Sequence, residues 1–437
     1  LEWQFVLPVI FGSLLILMAS GMPVAFSFIL ISIVGMYVFF GGAAGLEQLI
    51  ISINTSLTTF VLLPVPLFIF MGELMFHSGM APLLVETLDK WLGRLPGRLS
   101  LLAVSAGTLF ATLTGTSMAS TAMLGSILVP EMENRGYKKP MSLGPILGSG
   151  GLAIMIPPSG LAVLLGAIGE ISIGKILIAI IIPGLLMAIF YAAYIIIRCW
   201  LQPSIAPAYE VSHTPLSKKL SATVRYILPL GLVIFLVIGV IFLGVATPSE
   251  AAATGTIGTA ILAFFNGRLT WGVVKKAIGS TLAVVGMVLL IISGATALAQ
   301  ILAYSGATQG LCNLATGLPL APTIIVIAMQ IIILFLGCLM DVVAIMMITI
   351  PIFVPVVVTL NFNTVWFATI FLLNIEMAGT TPPFGMGLMV MKGVAPPETT
   401  MGDIYLAALP FLGCNLIVMV LMIAFPKIAL WLPGLMF

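Results

Sequence analysis

Two stretches of this 437-residue chain place consecutive prolines inside apolar sequence: Ile156-Pro157-Pro158-Ser159-Gly160 and Thr381-Pro382-Pro383-Phe384-Gly385. Proline has no N–H, and its ring clashes with the preceding turn, so each pair breaks a helix. The break frees main-chain carbonyls, and a freed carbonyl in an apolar setting costs several kcal/mol unless something satisfies it. Such carbonyls and the hydroxyls near them are hard oxygen donors, suited to a small hard cation. A second kind of chemistry is carried by isolated ionisable groups. Asp341 lies deep in an apolar stretch with no basic residue near it. Such a residue is a candidate for an ion or substrate role, with a protonated structural Asp as the alternative. Glu376 precedes the second break by a few residues and either stabilises that site or pairs with a neighbour. Glu250 follows Thr247 by three, the spacing of a capping box. Glu73 and His77 share one helix face; a polar interface is the simpler reading and a proton relay the other.

Composition dictates what holds these groups. Hydrophobic residues make up 61% of the chain and charged residues 7%, with a mean hydropathy of +1.27. An average soluble domain is about 25% charged, so soluble enzymes, nucleic-acid binders and disordered chains are excluded. The net charge of +2 suggests no polyanion partner. Cys199, Cys312, Cys338 and Cys414 have no metal-ligand spacing and read as buried thiols. No basic residue precedes Lys90, so the first apolar segment reads as retained and not as a signal peptide.

Spans of about 20 apolar residues fall near 4–20, 23–40, 60–78, 141–168, 175–198, 226–246, 249–265, 278–303, 364–391 and 404–430. The stretches 98–131 and 318–357 do not fit a single helix. Lys90, Arg94, Arg98, Arg135, Lys138 and Lys139 flank the first on both ends. Basic loops stay inside, so 98–131 enters and turns back, with Thr114-Gly115-Thr116-Ser117 at its tip. The flanks of the second stretch contain no Lys or Arg; it starts and ends outside, and both termini are outside. The segment 80–96 reads as an amphipathic surface helix. Trp3, Trp91, Trp200, Trp271, Trp366 and Trp431 fall mostly at span ends, as interfacial anchors do. No G-x-x-x-x-G-K-[ST] sequence is present, which excludes ATP hydrolysis by this chain.

The strongest pattern is a recurrence. Pro23 and Pro248, Pro130 and Pro355, and the two Pro-Pro breaks are each 225 residues apart. The loop charges turn the copies opposite ways. Inverted repeats with interrupted helices mark secondary transporters, whose sites lie at the breaks near the bilayer midplane. The expected fold is an all-α polytopic membrane protein of two inverted-topology repeats. Each holds a re-entrant helical hairpin and a broken helix. The divisions are 1–80 (scaffold), 81–97 (amphipathic arm), 98–168 (hairpin 1 and broken helix 1) and 169–225 (span and cytoplasmic loop). Then come 226–303 (scaffold), 318–395 (hairpin 2 and broken helix 2) and 396–437 (last span).

The tip Thr114–Ser117, the run Gly148-Ser149-Gly150-Gly151-Leu152-Ala153-Ile154-Met155-Ile156-Pro157-Pro158-Ser159, the run 244–252 (Gly-Val-Ala-Thr-Pro-Ser-Glu-Ala-Ala), and Asn374-Ile375-Glu376 with 379–385 (Gly-Thr-Thr-Pro-Pro-Phe-Gly) together resemble the large membrane subunit of TRAP (tripartite ATP-independent periplasmic) transporters. The resemblance covers essentially the whole chain. It implies a bacterial inner-membrane, sodium-driven importer of organic acids, acting with a small four-helix membrane subunit and a soluble periplasmic binding protein, with no cofactor beyond Na+ as coupling ion, and an elevator-type transport domain, built from the hairpins and broken helices, beside a scaffold. With the repeat, it suggests two sodium sites. Thr114, Gly115, Thr116 and Ser117 would meet Ile156, Pro157 and Ser159; Gly337 and Asp341 would meet Gly379, Thr380 and Thr381. A substrate anion would be held by half-helix N-termini and by Ser117, Pro158, Ser159, Asp341, Glu250, Pro382 and Pro383. Dicarboxylates, sialic acid and other sugar acids remain open as substrates. The alternatives are a stand-alone carboxylate or ion exchanger of similar hairpin architecture, and an intramembrane aspartyl protease. The protease chemistry needs two close carboxylates, and Asp341 has no obvious Asp partner in another span.

Overall fold

The computed structural model describes residues 3–93, 95–114, 117–207, 215–337, 340–383 and 385–436, and only the main chain of 111–114. The described residues form helices and connections, with no strand. In chain order the helices are α1 (Trp3–Ala19), α2 (Val24–Phe39), α3 (Ala43–Leu57), α4 (Pro64–His77), α5 (Ala81–Asp89), α6 (Arg98–Thr114), α7 (Ser117–Asn134), α8 (Lys139–Ser142), α9 (Gly144–Met155), α10 (Gly160–Ile168), α11 (Ile173–Ala179) and α12 (Ile181–Leu201). They continue as α13 (Leu216–Ala222), α14 (Leu228–Phe242), α15 (Pro248–Phe265), α16 (Trp271–Tyr304), α17 (Ala307–Gly317), α18 (Pro322–Gly337), α19 (Val342–Thr359), α20 (Thr364–Thr380), α21 (Met386–Val394), α22 (Met401–Ala424) and α23 (Lys427–Leu430). Six described segments are long and apolar enough to cross a membrane, and seven if the bent pair Lys139–Met155 with Gly160–Ile168 is one span.

Helix boundaries in the second half track those in the first. The starts of α1 and α14, of α7 and α19, and of the α8–α9 segment and α20 are each 225 residues apart. The long α16 takes the place of α3 and α4 together. Pro64 and Pro66 open α4, and α16 has no proline anywhere along its 34 residues. Proline's missing N–H and its restriction on the preceding residue account for a break in one half and a continuous rod in the other.

Packing follows the same correspondence. α2 lies on α16 as α4 lies on α15, and α6 packs on α9 as α18 packs on α20. Gly125 of α7 meets Val394 of α21, and a side chain at Gly169 would meet Ile350 of α19. These two contacts exchange with each other when 225 is added to the first-half residues. The tightest burial surrounds the breaks: every residue of α9 is buried, and so is most of α20.

Four details depart from the sequence reading. Residues 43–57 form α3, which a search for spans passes over because Glu47, Gln48, Asn54, Thr55 and Ser56 dilute its apolar content. Residues 307–317, read as a loop, form α17, with Trp3 packed against Gly310. Trp366 is not an interfacial anchor; it is 2% exposed and its indole N–H donates to the Met422 carbonyl at 2.8 Å. The last span ends at Ala424, ahead of Pro426. The arm is present as α5, tied by Glu86–Lys90 at 2.9 Å and by Asp89–Arg98 at 2.7 Å.

Candidate functional site

The start of α7 lies against α9 and the end of α18 against α20, and glycines permit the approach. Gly150 of α9 lies against the Ser117 carbonyl and the Thr121 hydroxyl, and a β-carbon there would overlap Thr121 Oγ1 at 2.0 Å. Gly107 of α6 likewise meets Ser149 of α9. In the second hairpin, Gly337 ends α18 directly on Ala378, one residue before Gly379. A buried polar pair joins the same two helices higher up: the Asn374 amide donates to the Gln330 carbonyl at 2.6 Å and to Gln330 Oε1 at 2.9 Å.

The breaks are built alike. Ile156 ends α9 and Thr381 ends α20, both in extended conformation. The Pro157–Pro158 and Pro382–Pro383 peptide bonds are both cis. Proline at 157, 158, 382 and 383 removes the amides that would otherwise bond the carbonyls of Ala153, Ile154, Ala378 and Gly379 in a continuous helix. Thr381 N–H takes up the Ala378 carbonyl at 3.3 Å. The carbonyls of Gly379 and Thr381 converge on Gly385, where a β-carbon would stand 2.7 and 2.9 Å from them. Only glycine fits at 385, and its N–H donates to the Thr381 carbonyl at 3.2 Å.

Side-chain roles divide the predicted residues. Ser159, fully buried, caps α10 by accepting from Ala162 N–H at 3.3 Å. Asp341 caps α19 by accepting from Val343 N–H at 3.0 Å. Thr380 donates to the Glu376 carbonyl at 3.3 Å and Thr381 to the Met377 carbonyl at 2.6 Å. The Pro383 carbonyl receives the Tyr405 hydroxyl at 2.8 Å. Pro158 is buried beside Pro157, and Pro382 is partly exposed. Gly337, Gly379, Thr380 and Thr381 are thus assembled at one locus, with Asp341 at the head of the adjoining arm. Of the first set, the Ser117 carbonyl reaches Gly150, about 9 Å along the helix from Ile156 at 1.5 Å per residue. Gly115, Thr116 and the Thr114 side chain lie outside the described residues.

Glu250 is elsewhere. Its exposed carboxylate accepts from the Thr247 N–H at 2.7 Å and the Thr247 hydroxyl at 2.8 Å, while Thr247 accepts from Glu250 N–H. That is the reciprocal capping box at the start of α15. His77 bonds Ser280 at 3.2 Å and Glu73 at 3.3 Å, joining α4 to α16 as a polar interface does. Cys199, Cys312 and Cys414 are buried free thiols. No group of three or more metal-ligating His, Cys, Asp or Glu side chains occurs among the described residues.

A cavity of about 1420 Å³ lies between α3 and α16 on one side and α19 and the α10–α11 connection on the other. None of the predicted site residues lines it, although Thr247 and Ser249 do. Its α3 wall carries Gln48, Ser52, Thr55, Ser56 and, just past the helix end, Thr59. Ser52 donates to Gln300 of α16 at 2.7 Å. The three-to-four-residue spacing of those polar groups was the available sequence signal.

A family model described as Tripartite ATP-independent periplasmic transporter, DctM component, matches residues 11–428. A C4-dicarboxylate TRAP transporter large permease protein of Pseudomonas aeruginosa is 31% identical over 378 residues, 86% of each chain. An ectoine/5-hydroxyectoine TRAP transporter large permease protein of Ruegeria pomeroyi is 28% identical, over 98% of this chain and 99% of that one. An isethionate TRAP transporter permease protein of Oleidesulfovibrio alaskensis is 28% identical over 98% of this chain, which spans about two thirds (66%) of that relative. Among solved structures, the YdaH transporter of Alcanivorax borkumensis superposes with a TM-score of 0.68 over 91% of this chain and 96% of its own, at 16% identity; this is a likeness of fold. The chain belongs to the DctM family: it is a TRAP transporter large permease, a multi-pass secondary transporter and not an enzyme.

Proposed function

We propose that this permease is the large membrane subunit of a sodium-coupled importer of a small organic acid in a bacterial inner membrane. Its partners are a small four-helix membrane subunit and a periplasmic binding protein. The fold is read as two repeats of opposite orientation, with both termini outside. The hairpins α6–α7 and α18–α19, the broken helices α8–α10 and α20–α21 form the moving domain, and α1–α4 with α14–α16 form the scaffold.

The observation that carries this reading is the paired construction at 153–160 and 378–385: proline-freed carbonyls, hydroxyls beside them, and a hairpin tip on each broken helix. Sodium at each locus would satisfy oxygens that the prolines leave without amide partners. The first site uses Thr114, Gly115, Thr116, Ser117, Ile156, Pro157 and Ser159, and the second Gly337, Asp341, Gly379, Thr380 and Thr381. The substrate sits against Ser117, Pro158, Ser159, Asp341, Pro382 and Pro383, its anionic end toward the N-termini of α10 and α21. The large cavity between α3–α16 and α10–α19 supports an elevator movement, because it separates the proposed scaffold from the proposed moving domain.

The relatives named above carry C4-dicarboxylate, isethionate or ectoine in their names; compact dicarboxylates and sugar acids such as sialic acid are the candidates here. The test is uptake into proteoliposomes holding both membrane subunits, with binding protein loaded with each candidate acid. An inward sodium gradient should drive accumulation, and replacing sodium by choline should abolish it. Equal uptake in choline contradicts the coupling.

A further inference from the structure

The cavity between α3–α16 and α19 has walls of opposite character. Gln48, Ser52, Ser56 and Thr59 line it from α3 and the residues just after it, and Thr296 and Gln300 line it from α16. From α19 the lining is apolar, with Met347, Ile350 and Val354. No Lys, Arg or His belongs to the described lining, and its one acid is Glu170. At about 1420 Å³ the cavity exceeds the roughly 300–1,000 Å³ of ordinary ligand pockets, leaving room for a bulky polar molecule with water. The connections 169–174 and 246–249 border it. Both lie outside in the topology proposed above, the side from which import starts.

Hydrogen bonding gives the polar wall a definite sense. Ser56 donates to the Ile53 carbonyl at 3.0 Å, Thr59 to the Thr55 carbonyl at 2.8 Å and Thr296 to the Ile292 carbonyl at 2.9 Å. A hydroxyl has one hydrogen and two lone pairs. In all three the hydrogen is spent on the helix, and the oxygen remains an acceptor. Gln300 has the opposite sense. Ser52, 3% exposed, donates to Gln300 Oε1 at 2.7 Å. That buried bond occupies the carbonyl end of the amide and leaves the two Nε2 hydrogens for a ligand. A face that is merely wetted needs no buried bond to orient its amide. Hydroxyl acceptors around an amide donor match alcohol groups, which both donate and accept. A carboxylate only accepts, and the one charge in the lining, Glu170, has its own sign. The apolar wall suits the C–H faces of the same carbon skeleton.

We propose that the α3–α16 face is a specificity wall that receives the hydroxyl groups of a polyhydroxylated monocarboxylate, a sugar acid, as it enters from outside. Compact dicarboxylates, which bring acceptors to a wall of acceptors, are selected against there. The inference rests on the reading of the chain as an importer of organic acids and narrows its substrate class.

The test uses the permease with its small subunit in lipid nanodiscs, with Cys199, Cys312, Cys338 and Cys414 replaced. Thr55→Cys reports on the cavity and leaves all six polar wall residues in place. Its rate of maleimide labelling is measured with gluconate, with hexanoate (the same carbon chain without the hydroxyls) and with succinate. Gluconate should slow labelling, and hexanoate and succinate at the same concentration should not. Gln300→Leu should raise the gluconate concentration for half-protection about tenfold. So should Ser56→Ala combined with Thr296→Val, a pair that leaves the Ser52–Gln300 bond intact and keeps the test open if Gln300→Leu fails to fold. Absence of protection by gluconate, equal protection by hexanoate or succinate, or unchanged half-protection in the wall variants would each overturn the proposal. Protection by gluconate with no sodium-driven uptake of any acid would instead overturn the importer reading and leave the wall standing.

Discussion

Asp341 serves the helix and, on the proposed mechanism, the ion. Its carboxylate accepts from Val343 N–H and so caps α19. Asn caps a helix about as well as Asp, so Asp341→Asn should leave stability within about 0.5 kcal/mol while removing the charge. Sodium-stimulated uptake should then fall by at least about tenfold; unchanged uptake would take Asp341 out of the site. Ser117→Ala leaves the seated carbonyl in place and should weaken sodium dependence only a few-fold. Ser159→Ala is different, because the buried hydroxyl caps α10. Loss of an N-cap costs roughly 1 kcal/mol, so its thermal midpoint should drop as well, with both effects read on one preparation. At this scale the sequence was informative about residue type but not about role. Thr247-x-x-Glu250 matched a capping box and a family motif equally, and only the paired hydrogen bonds decided for the cap. The Glu376 carboxyl lies against Gly151, a contact that depends on how α20 crosses α9 and has no local signature.

At the scale of elements, the Pro-Pro breaks were legible because they depend on local chemistry: proline removes a donor. α3 and α17 were not, since both are amphipathic and a hydropathy window for spans passes over them. Their places follow from their counterparts in the other half, α16 for α3 and α5 for α17. The breaks themselves can be tested by mending. Pro382→Ala with Pro383→Ala restores two amides able to bond the carbonyls of Ala378 and Gly379. Helix content by circular dichroism should not fall, and sodium stimulation should be lost. Retained sodium stimulation would show that those carbonyls do not hold the ion.

For the whole molecule, the repeat spacing of 225 orders the helix starts, the Pro-Pro breaks and the exchanged contacts Gly125–Val394 and Gly169–Ile350. The cavity between α3–α16 and α19 is the space a sliding domain would cross. Thr55→Cys and Val354→Cys both border it, and bridging them with a bifunctional maleimide should stop uptake while leaving sodium-dependent thermal stabilisation intact. Continued uptake by the cross-linked protein would contradict sliding. The central claim is that the hairpins enter from opposite faces, and sidedness tests it most directly. Single cysteines replace Leu95 and Arg135 beside hairpin 1, and Leu320 and Thr359 beside hairpin 2, in a background freed of Cys199, Cys312, Cys338 and Cys414. In intact cells, a membrane-impermeant maleimide should label 320 and 359, and reach 95 and 135 only after the membrane is opened. Labelling of 95 and 135 from opposite faces would contradict the account, and the paired ion sites with it.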